Sequence, residues 1–336
     1  MSRWPSFEKQ LRELDSDIQK LERLLQAPAL SEERRVRLRQ QITALRRQQD
    51  RVTREVFTML TAWDQVLLAR HVDRPYTLDY VNLVFDDFVE LHGDRRFGDD
   101  SALVAGLASL DGQSVAVVGH QKGRDVKERQ FRNFGSARPE GYRKAARVMR
   151  LAEKFRIPVI SFVDTSGAES RLEAEERGIA NAIAENLLLM IGLETPMLVM
   201  IIGEGGSGGA IGIGVGDHVM MLEHAIYSVI SPESCAVILE AFGRDPGRGP
   251  EAAEALRLTA QKTKELGAVD EVIPEPLGGA HRDPAAAAKN VKDALTRSLD
   301  RLQAIAIDEL VAARYHKYRG IGHFVAGGEQ GERGAP

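Results

Sequence analysis

The chain has 336 residues, of which 43% are hydrophobic and 28% charged, and its formal net charge is -4 at pH 7. This composition is typical of a soluble globular protein, and the length suits roughly two domains. The acidic balance argues against general nucleic-acid binding. The single cysteine, Cys235, excludes an internal disulfide framework and a multi-cysteine zinc site within the chain.

The sequence also argues against a leader peptide and a membrane span. The first ten residues lack an apolar core and a small-residue cleavage site. The most apolar windows, 179–202 and 209–222, are interrupted by Asn181, Glu185, Glu194, Pro196 and Asp217. Because the single cysteine favours a reducing compartment, we expect a cytoplasmic protein with no membrane contact.

Residues 1–73 predict an N-terminal helical hairpin. Apolar residues recur at steps of three and four in two stretches separated at Pro28: Leu11, Leu14, Ile18, Leu21 and Leu25, then Leu38, Ile42, Leu45, Val52 and Val56. Ser31 followed by Glu32 is a typical start for the second helix. Arginine is frequent between residues 34 and 54. A solvated face, or a face docked on an acidic partner, explains these arginines better than nucleic-acid binding does.

Residues 74–325 predict an α/β domain, because short apolar runs alternate with amphipathic segments. We expect strands at 102–110, 115–120, 159–164 and 198–202, helices at 81–91, 140–155, 173–191 and 285–311, and a loop at 273–281. Asp111-Gly112 lies between two apolar runs and predicts a β-hairpin. Residues 326–336 are rich in glycine, and we expect a disordered tail there.

A glycine-rich turn follows the strand predicted at 198–202, and two enzyme motifs match it. Gly203–Gly208 has the dinucleotide-binding pattern G-x-G-x-x-G, with Glu223 downstream as a candidate ribose ligand. Gly205–Gly209 has the nucleophile-elbow pattern G-x-S-x-G around Ser207. A serine nucleophile would also need a histidine base, for which the candidates are His218, His224 and His281.

The same turn has two further interpretations that need no side-chain base. The backbone N–H groups of Gly208 and Gly209 could form an oxyanion hole at the start of the next helix. Alternatively, the glycines could serve only to let that helix pack close to the sheet.

Polar loops after two earlier strands add to this candidate site. Gly119–Gly123 and Asp164–Ala168 each follow a predicted strand, and we expect the second of them to share one end of the sheet with the glycine turn. The stretch from Lys122 to Arg150 has a strong excess of basic over acidic residues, which suits phosphate or carboxylate binding. The part of it within the predicted helix, including Arg143, fits a solvated helix face equally well.

Several segments together carry a family resemblance: Pro75–Tyr80, Gly119–Gly123, Arg132–Gly135, Pro139–Ala145, Gly203–Ala210, Tyr227–Glu233 and Ile273–His281. In this order they resemble the carboxyltransferase alpha subunit of bacterial acetyl-CoA carboxylase over residues 5–320. The resemblance implies a crotonase-like spiral of ββα units, preceded by the helical hairpin.

The resemblance also implies a reaction and its partners. The family pairs with a beta subunit that carries a zinc ribbon, in an α2β2 assembly, and the alpha subunit alone is inactive. A carboxyl group moves from carboxybiotin, held by a separate biotin carboxyl carrier protein, to acetyl-CoA. Malonyl-CoA is formed, as the first committed step of fatty acid synthesis. We expect no metal in this chain, and we do not expect nucleic acid to be one of its partners.

The family resemblance favours the oxyanion-hole interpretation of the glycine turn. The N–H groups of Gly208 and Gly209 would stabilise negative charge on the ureido oxygen of biotin. The deprotonated biotin nitrogen can itself remove the acetyl proton, so no catalytic histidine is needed. The remaining expected substrate- or cofactor-binding residues are Gly205, Gly206, Ser207, Ala210, Gly167, Ala168, Lys122 and Arg143. Ser207 would then be a small turn residue.

One loop departs from the family pattern. Relatives commonly have Asp-Thr-Pro-Gly-Ala-Tyr-Pro-Gly where this chain has Asp164-Thr-Ser-Gly-Ala-Glu-Ser-Arg171. Without the prolines we expect this loop to be more flexible, and Glu169 and Arg171 make it more charged. Two alternatives therefore remain: a carboxyltransferase subunit for another short acyl-CoA, and a non-catalytic scaffold that recruits partners through its basic stretches.

Overall fold

The computed structural model describes residues 5–27 and 30–322. The expected helix interruption at Pro28 and the expected tail at 326–336 lie outside these residues. The described chain forms one mixed sheet of eight strands with helices packed against it. None of the helices in these ranges has the length and apolar character needed to cross a bilayer.

The strands are β1 (Asp86–Glu90), β2 (Leu103–Leu110), β3 (Gln113–His120), β4 (Val159–Thr165), β5 (Met197–Gly206), β6 (His218–Leu222), β7 (Ile226–Ser228) and β8 (Glu271–Ile273). Their order is β1-β2-β3-β4-β5-β6-β8, and β7 pairs with the end of β5. The β1–β2 and β2–β3 pairs are antiparallel, whereas all other pairs are parallel.

The helices are α1 (Lys9–Leu25), α2 (Glu32–Thr58), α3 (Ala62–Ala69), α4 (Thr77–Val84), α5 (Val126–Phe131), α6 (Pro139–Phe155), α7 (Leu172–Glu176), α8 (Ile179–Gly192), α9 (Ser207–Ile211), α10 (Pro232–Ile238), α11 (Gly249–Ala255), α12 (Ala260–Glu265), α13 (Pro284–Gln303) and α14 (Ile307–Arg319). Strands β4 and β5 form the centre of the main core, and every residue of β4 is buried. A continuous apolar run without alternation is typical of a parallel strand covered on both faces.

The β-hairpin predicted at Asp111-Gly112 is confirmed. Leu110 lies opposite Gln113, and the intervening Asp111 and Gly112 have φ values of 50° and 84°. Two consecutive positive φ values match the right-handed twist of the flanking strands, which is why this dipeptide favours the turn. The four predicted strands and the helix predicted at 140–155 are also present, with ends shifted by a few residues in some cases.

Three predicted helices are wrong in extent. The helix predicted at 81–91 ends at Val84, and Asp86–Glu90 instead forms a strand that pairs with β2. The helix predicted at 173–191 is divided at Gly178, whose φ of 76° cannot continue an α-helix. The helix predicted at 285–311 ends at Gln303 and resumes at Ile307.

The N-terminal helices contact each other and the loop after β8. Leu11 and Leu14 of α1 pack with Val52 of α2 in a small separate core. The Oε1 atom of buried Glu8 lies 2.7 Å from Nε2 of His281, and the guanidinium of Arg282 donates to Asp15. These contacts join the hairpin to this chain's own C-terminal part, which the sequence did not predict.

Candidate active site at the ends of β4 and β5

The glycine turn lies where β5 passes directly into the short helix α9. Here the ends of β4 and β5 approach so closely that side chains are excluded. A Cβ at Gly203 would lie 2.4 Å from Oδ1 of Asp164, and one at Gly206 would lie 2.2 Å from the carbonyl oxygen of Ser166. Glycine is therefore required at both positions by packing of the loop after β4 against β5.

Gly208 and Gly209 differ in what surrounds them. A Cβ at Gly209 would lie 2.6 Å from the amide nitrogen of Ala168, whereas the nearest atom to a Cβ at Gly208 is Cδ1 of Ile183 at 3.5 Å. Within residues 5–27 and 30–322, no hydrogen bond uses the backbone N–H of Gly208 or Gly209. Neither donor is therefore used within these residues; Gly208 is partly exposed, whereas Gly209 is buried with the Gly167-Ala168 backbone directly against it.

Tyr142 and Asn186 hold α9 in place from below. The Tyr142 hydroxyl donates to the Gly209 carbonyl at 3.3 Å, and its ring lies so close to Gly212 that a Cβ there would be 2.5 Å away. The Asn186 amide donates to the carbonyls of Gly212 and Tyr142 at 2.9 and 3.0 Å. Because both side chains are buried, the orientation of the turn is fixed by the helices beneath it.

The other expected turn residues take different positions. Ala210 is buried, and Gly205 lies against the ring of Tyr227. Ser207 is exposed and has a φ of 50°. The left-handed conformation turns the chain from the strand into the helix, and it is unusual for a residue other than glycine.

A buried network of charges lies next to the turn. The ammonium of Lys122 lies 2.8 Å from Oδ1 of Asp164 and 2.8 Å from Oε2 of Glu204. The guanidinium of Arg70 bonds the other oxygen of Glu204 at 2.7 Å and also reaches Glu233. These pairs connect the ends of β3, β4 and β5 with helix α3.

The network determines the ionisation of its members. Burial opposes the charge of Glu204, but the positive charges of Lys122 and Arg70 outweigh it and lower the Glu204 pKa to about 2. Burial also opposes the charge of Lys122, yet the two carboxylates raise its pKa above the ordinary value. The pKa of Asp164 is raised, with burial as the main cause.

The two basic residues predicted at the site are both occupied by acidic partners. Lys122 pairs with two carboxylates, and only 14% of its side chain is exposed. Arg143 pairs with Asp94 and donates to the carbonyl of Arg177, away from the contacts that build the glycine turn. Sequence reasoning missed Arg70 and Glu204, although a glutamate within a buried apolar strand is itself a signal for a charged partner.

His120 is a buried polar residue at the end of β3. Its side chain is fully buried, its ring meets the Tyr142 ring edge-on at 6.4 Å, and its imidazole interacts with the backbone of Gly209. Burial, together with the charge of Lys122, lowers the His120 pKa to about 3. The imidazole is therefore neutral beneath the glycine turn at physiological pH.

The altered loop is tied down by its charged residues. The carboxylate of Glu169 accepts from the side chains of Asn133 and Arg171 and from the loop's own amides of Ser170 and Arg171. The Arg171 guanidinium, which outweighs the cost of burial, lowers the Glu169 pKa to about 2. We expected a looser loop from the lost prolines, but these hydrogen bonds provide a different anchor for it.

Neither alternative enzyme motif has the partners that it requires. Among the described residues no histidine bonds Ser207: His218 lies 3.1 Å from Glu271, and His281 lies 2.7 Å from Glu8. Helix α9 has only five residues, too short for the phosphate-binding helix of a dinucleotide fold. The geometry therefore leaves the free amides as the chemical feature of the turn.

One group of described side chains has the composition of a metal site. Ligand atoms of Glu8, His71 and His281 lie within 4.8 Å of one another, and all three residues are buried. However, the backbone N–H of Asp73 donates to Nδ1 of His71 at 3.2 Å. In the neutral ring the proton is then on Nε2, so this arrangement suits a hydrogen-bonded cluster better than metal binding.

Comparison with known protein structures identifies the fold. The transcarboxylase 12S structure with methylmalonyl-coenzyme A and methylmalonic acid bound superimposes with a TM-score of 0.52 at 18% identity, covering 77% of this chain and 44% of that one. The beta subunit of P. aeruginosa geranyl-CoA carboxylase gives a TM-score of 0.53 at 15% identity, covering 76% and 46%. This chain thus spans less than half of either protein, and it has the crotonase-like fold that its resemblance predicted.

Comparison of sequences identifies the family. A family profile described as "Acetyl co-enzyme A carboxylase carboxyltransferase-like" matches residues 5–322. The acetyl-coenzyme A carboxylase carboxyl transferase subunit alpha of Geobacter metallireducens is 52% identical over 95% of this chain and 97% of its own length. The protein of the same description from Thioalkalivibrio sulfidiphilus is 50% identical over 96% and 98%. The chain therefore belongs to the family of acetyl-CoA carboxylase carboxyltransferase alpha subunits.

Proposed function

We propose that this chain, together with a beta subunit, transfers a carboxyl group from carboxybiotin to acetyl-CoA and so forms malonyl-CoA for fatty acid synthesis. The observation that carries the proposal is the pair of free backbone N–H groups at Gly208 and Gly209. They lie on a rigid turn in a protein of the carboxyltransferase alpha family.

The backbone donors of the turn suit a ligand with a polar oxygen. Gly206 and Gly209 are in contact with the 165–168 backbone, whereas Gly208 has more open surroundings, so the donors lie at the edge of a closely packed loop. Bound carboxybiotin would supply the carboxyl group that is transferred. The N–H groups of Gly208 and Gly209 donate to the oxygen on which negative charge develops, which contributes roughly 3 to 4 kcal/mol per donor to catalysis.

The surrounding residues keep these donors in position. Tyr142 and Asn186 fix α9 from the buried side, while Lys122 joins the ends of the strands through Asp164 and Glu204. Preorganised dipoles need no rearrangement during the reaction, so rigidity here contributes directly to the rate. We therefore assign Lys122 a positioning role and Gly167 and Ala168 the role of a wall beside Gly209.

We also propose that the site is active only in a complex with a beta subunit. The beta subunit, which in this family carries a zinc ribbon, would supply acyl-CoA contacts in an α2β2 complex, and a biotin carboxyl carrier protein would deliver the biotin. We place this assembly in the cytoplasm. Residues 1–73 would form an appended helical unit that contacts the 278–282 loop of the same chain.

The test is reconstitution with the cognate beta subunit, followed by measurement of biotin-dependent decarboxylation of malonyl-CoA. We expect turnover by the complex and none by either subunit alone. Faster turnover of methylmalonyl-CoA would show that another short acyl-CoA is the substrate. An assembled complex that decarboxylates neither compound would refute carboxyl transfer and favour a scaffold role.

A further inference from the structure

A second cluster of charge lies away from the glycine turn, between α6 and the loop at residues 92–99. Its cavity has a volume of about 250 Å³ and is lined by Asp94, Arg95, Arg96, Arg143, Ala146, Arg147, Arg150 and Glu185. Arg143, Arg147 and Arg150 follow one another at helical spacing, so they share one face of α6. Five arginines thus surround a space of small-molecule size.

Most of this positive charge has no acidic partner among the described residues. Asp94 pairs with Arg143, but within residues 5–27 and 30–322 no ion pair involves Arg95, Arg96, Arg147 or Arg150. The Asp94 carboxylate is also committed to the backbone N–H groups of Arg96, Phe97 and Gly98. Glu185 is then the one remaining acidic side chain against four guanidinium groups in this lining.

A backbone carbonyl group holds two of these arginines close together. Nη1 of Arg95 and Nη2 of Arg147 both donate to the carbonyl oxygen of His92, at 2.9 and 3.1 Å. Because they bond the same atom, these two nitrogens are no more than about 6 Å apart. Burial, and then the charge of Arg95, lower the pKa of Arg147. Two like charges are therefore held close together, and the carboxylates of Asp99 and Asp94 offset this repulsion only in part.

The loop that presents Arg95 and Arg96 is rigidly built. Asp94 closes it through three backbone N–H groups and a bond from its own N–H to the Gly98 carbonyl at 2.9 Å. Arg95 has a φ of 64°, a left-handed conformation that non-glycine residues seldom adopt. The arrangement is thus preorganised, which favours binding because little side-chain freedom remains to be lost.

We propose that this arginine cavity binds a small polyphosphate, such as a diphosphate group. Guanidinium groups bind phosphate oxygens through paired N–H donors and keep their charge at every physiological pH. A cavity of about 250 Å³ accommodates a diphosphate, and the lining forms a compact cluster instead of the long basic stripe that nucleic acids require. The site is separate from the carboxyl-transfer proposal and does not depend on it.

The test is calorimetric titration of the full chain with inorganic pyrophosphate and, separately, with ADP. The double variant Arg96→Gln/Arg150→Gln removes two exposed arginines that make no ion pair among the described residues. Its matched control is Arg39→Gln/Arg47→Gln on α2, which removes the same charge from two other exposed arginines that form no ion pair with the residues the structure describes.

We expect binding of at least one probe, weakened at least tenfold in Arg96→Gln/Arg150→Gln and unchanged in Arg39→Gln/Arg47→Gln. Binding of pyrophosphate alone would indicate an inorganic ligand, and tighter binding of ADP a nucleotide. The proposal is overturned if neither probe binds at millimolar concentration. It is equally overturned if both double variants weaken binding to the same extent, because the effect would then be one of general charge.

Discussion

The clearest prediction distinguishes two neighbouring glycines of the turn. In Gly209→Ala the new Cβ would lie 2.6 Å from the amide nitrogen of Ala168, whereas ordinary van der Waals contact begins at 3.4 Å. The loop or the helix must therefore move by about 0.8 Å. A displacement of this size at a catalytic donor costs roughly a hundredfold in rate, and overpacking costs about 1 to 3 kcal/mol of stability.

Gly208→Ala is the matched control, because the nearest atom to its Cβ would be Cδ1 of Ile183 at an ordinary 3.5 Å. We expect this variant to fold and to assemble with the beta subunit like the parent. The assay is malonyl-CoA decarboxylation by the reconstituted complex, together with the unfolding temperature of each variant. If Gly209→Ala retained full turnover, or if Gly208→Ala lost more stability than Gly209→Ala, the close packing of residues 167–168 on Gly209 would be refuted.

Three further predictions concern the surroundings of the turn. Ser207→Ala should retain most of the turnover, because no described histidine bonds this hydroxyl; an inactive but assembled variant would restore the nucleophile hypothesis. Lys122→Met should destabilise the fold by about 3 to 5 kcal/mol in urea unfolding, since two buried carboxylates lose their partner. The exposed control Lys127→Met should stay within about 0.5 kcal/mol, and equal effects of the two would contradict the network. His120→Gln should reduce the loss of stability in acid. The folded pKa of about 3 lies below the unfolded value of 6.5, so the parent loses stability as the pH falls below that value. At about pH 5 the loss from this residue is roughly 2 kcal/mol, and identical pH profiles for parent and variant would refute it.

The parts of the fold that the sequence predicted depend on local chemistry. The hairpin at Asp111-Gly112 follows from two residues that adopt positive φ, and β4 and β5 follow from uninterrupted apolar runs. The error at 81–91 has a long-range cause: the choice of strand for Asp86–Glu90 depends on pairing with β2. The short elements after Ala210 were missed because segments of three to seven residues show little periodicity.

The sequence likewise predicted only part of the candidate site. The glycine turn and the loop at 164–168 were expected to converge, and the structure places Gly167 and Ala168 against Gly209. The bonds of Lys122 could not be predicted, because its two partners lie on other strands far along the chain. Nor could the sequence distinguish Gly208 from Gly209, because their difference depends on neighbours from other segments.

The central claim is that the backbone N–H groups at residues 208 and 209 stabilise the negative charge that develops during carboxyl transfer. Replacement of Gly209 by glycolic acid would exchange its N–H for an ester oxygen without adding a side chain. We predict that this change lowers kcat for malonyl-CoA decarboxylation roughly 10²- to 10³-fold in a complex that still assembles. Unchanged turnover by that ester-containing complex would contradict the claim.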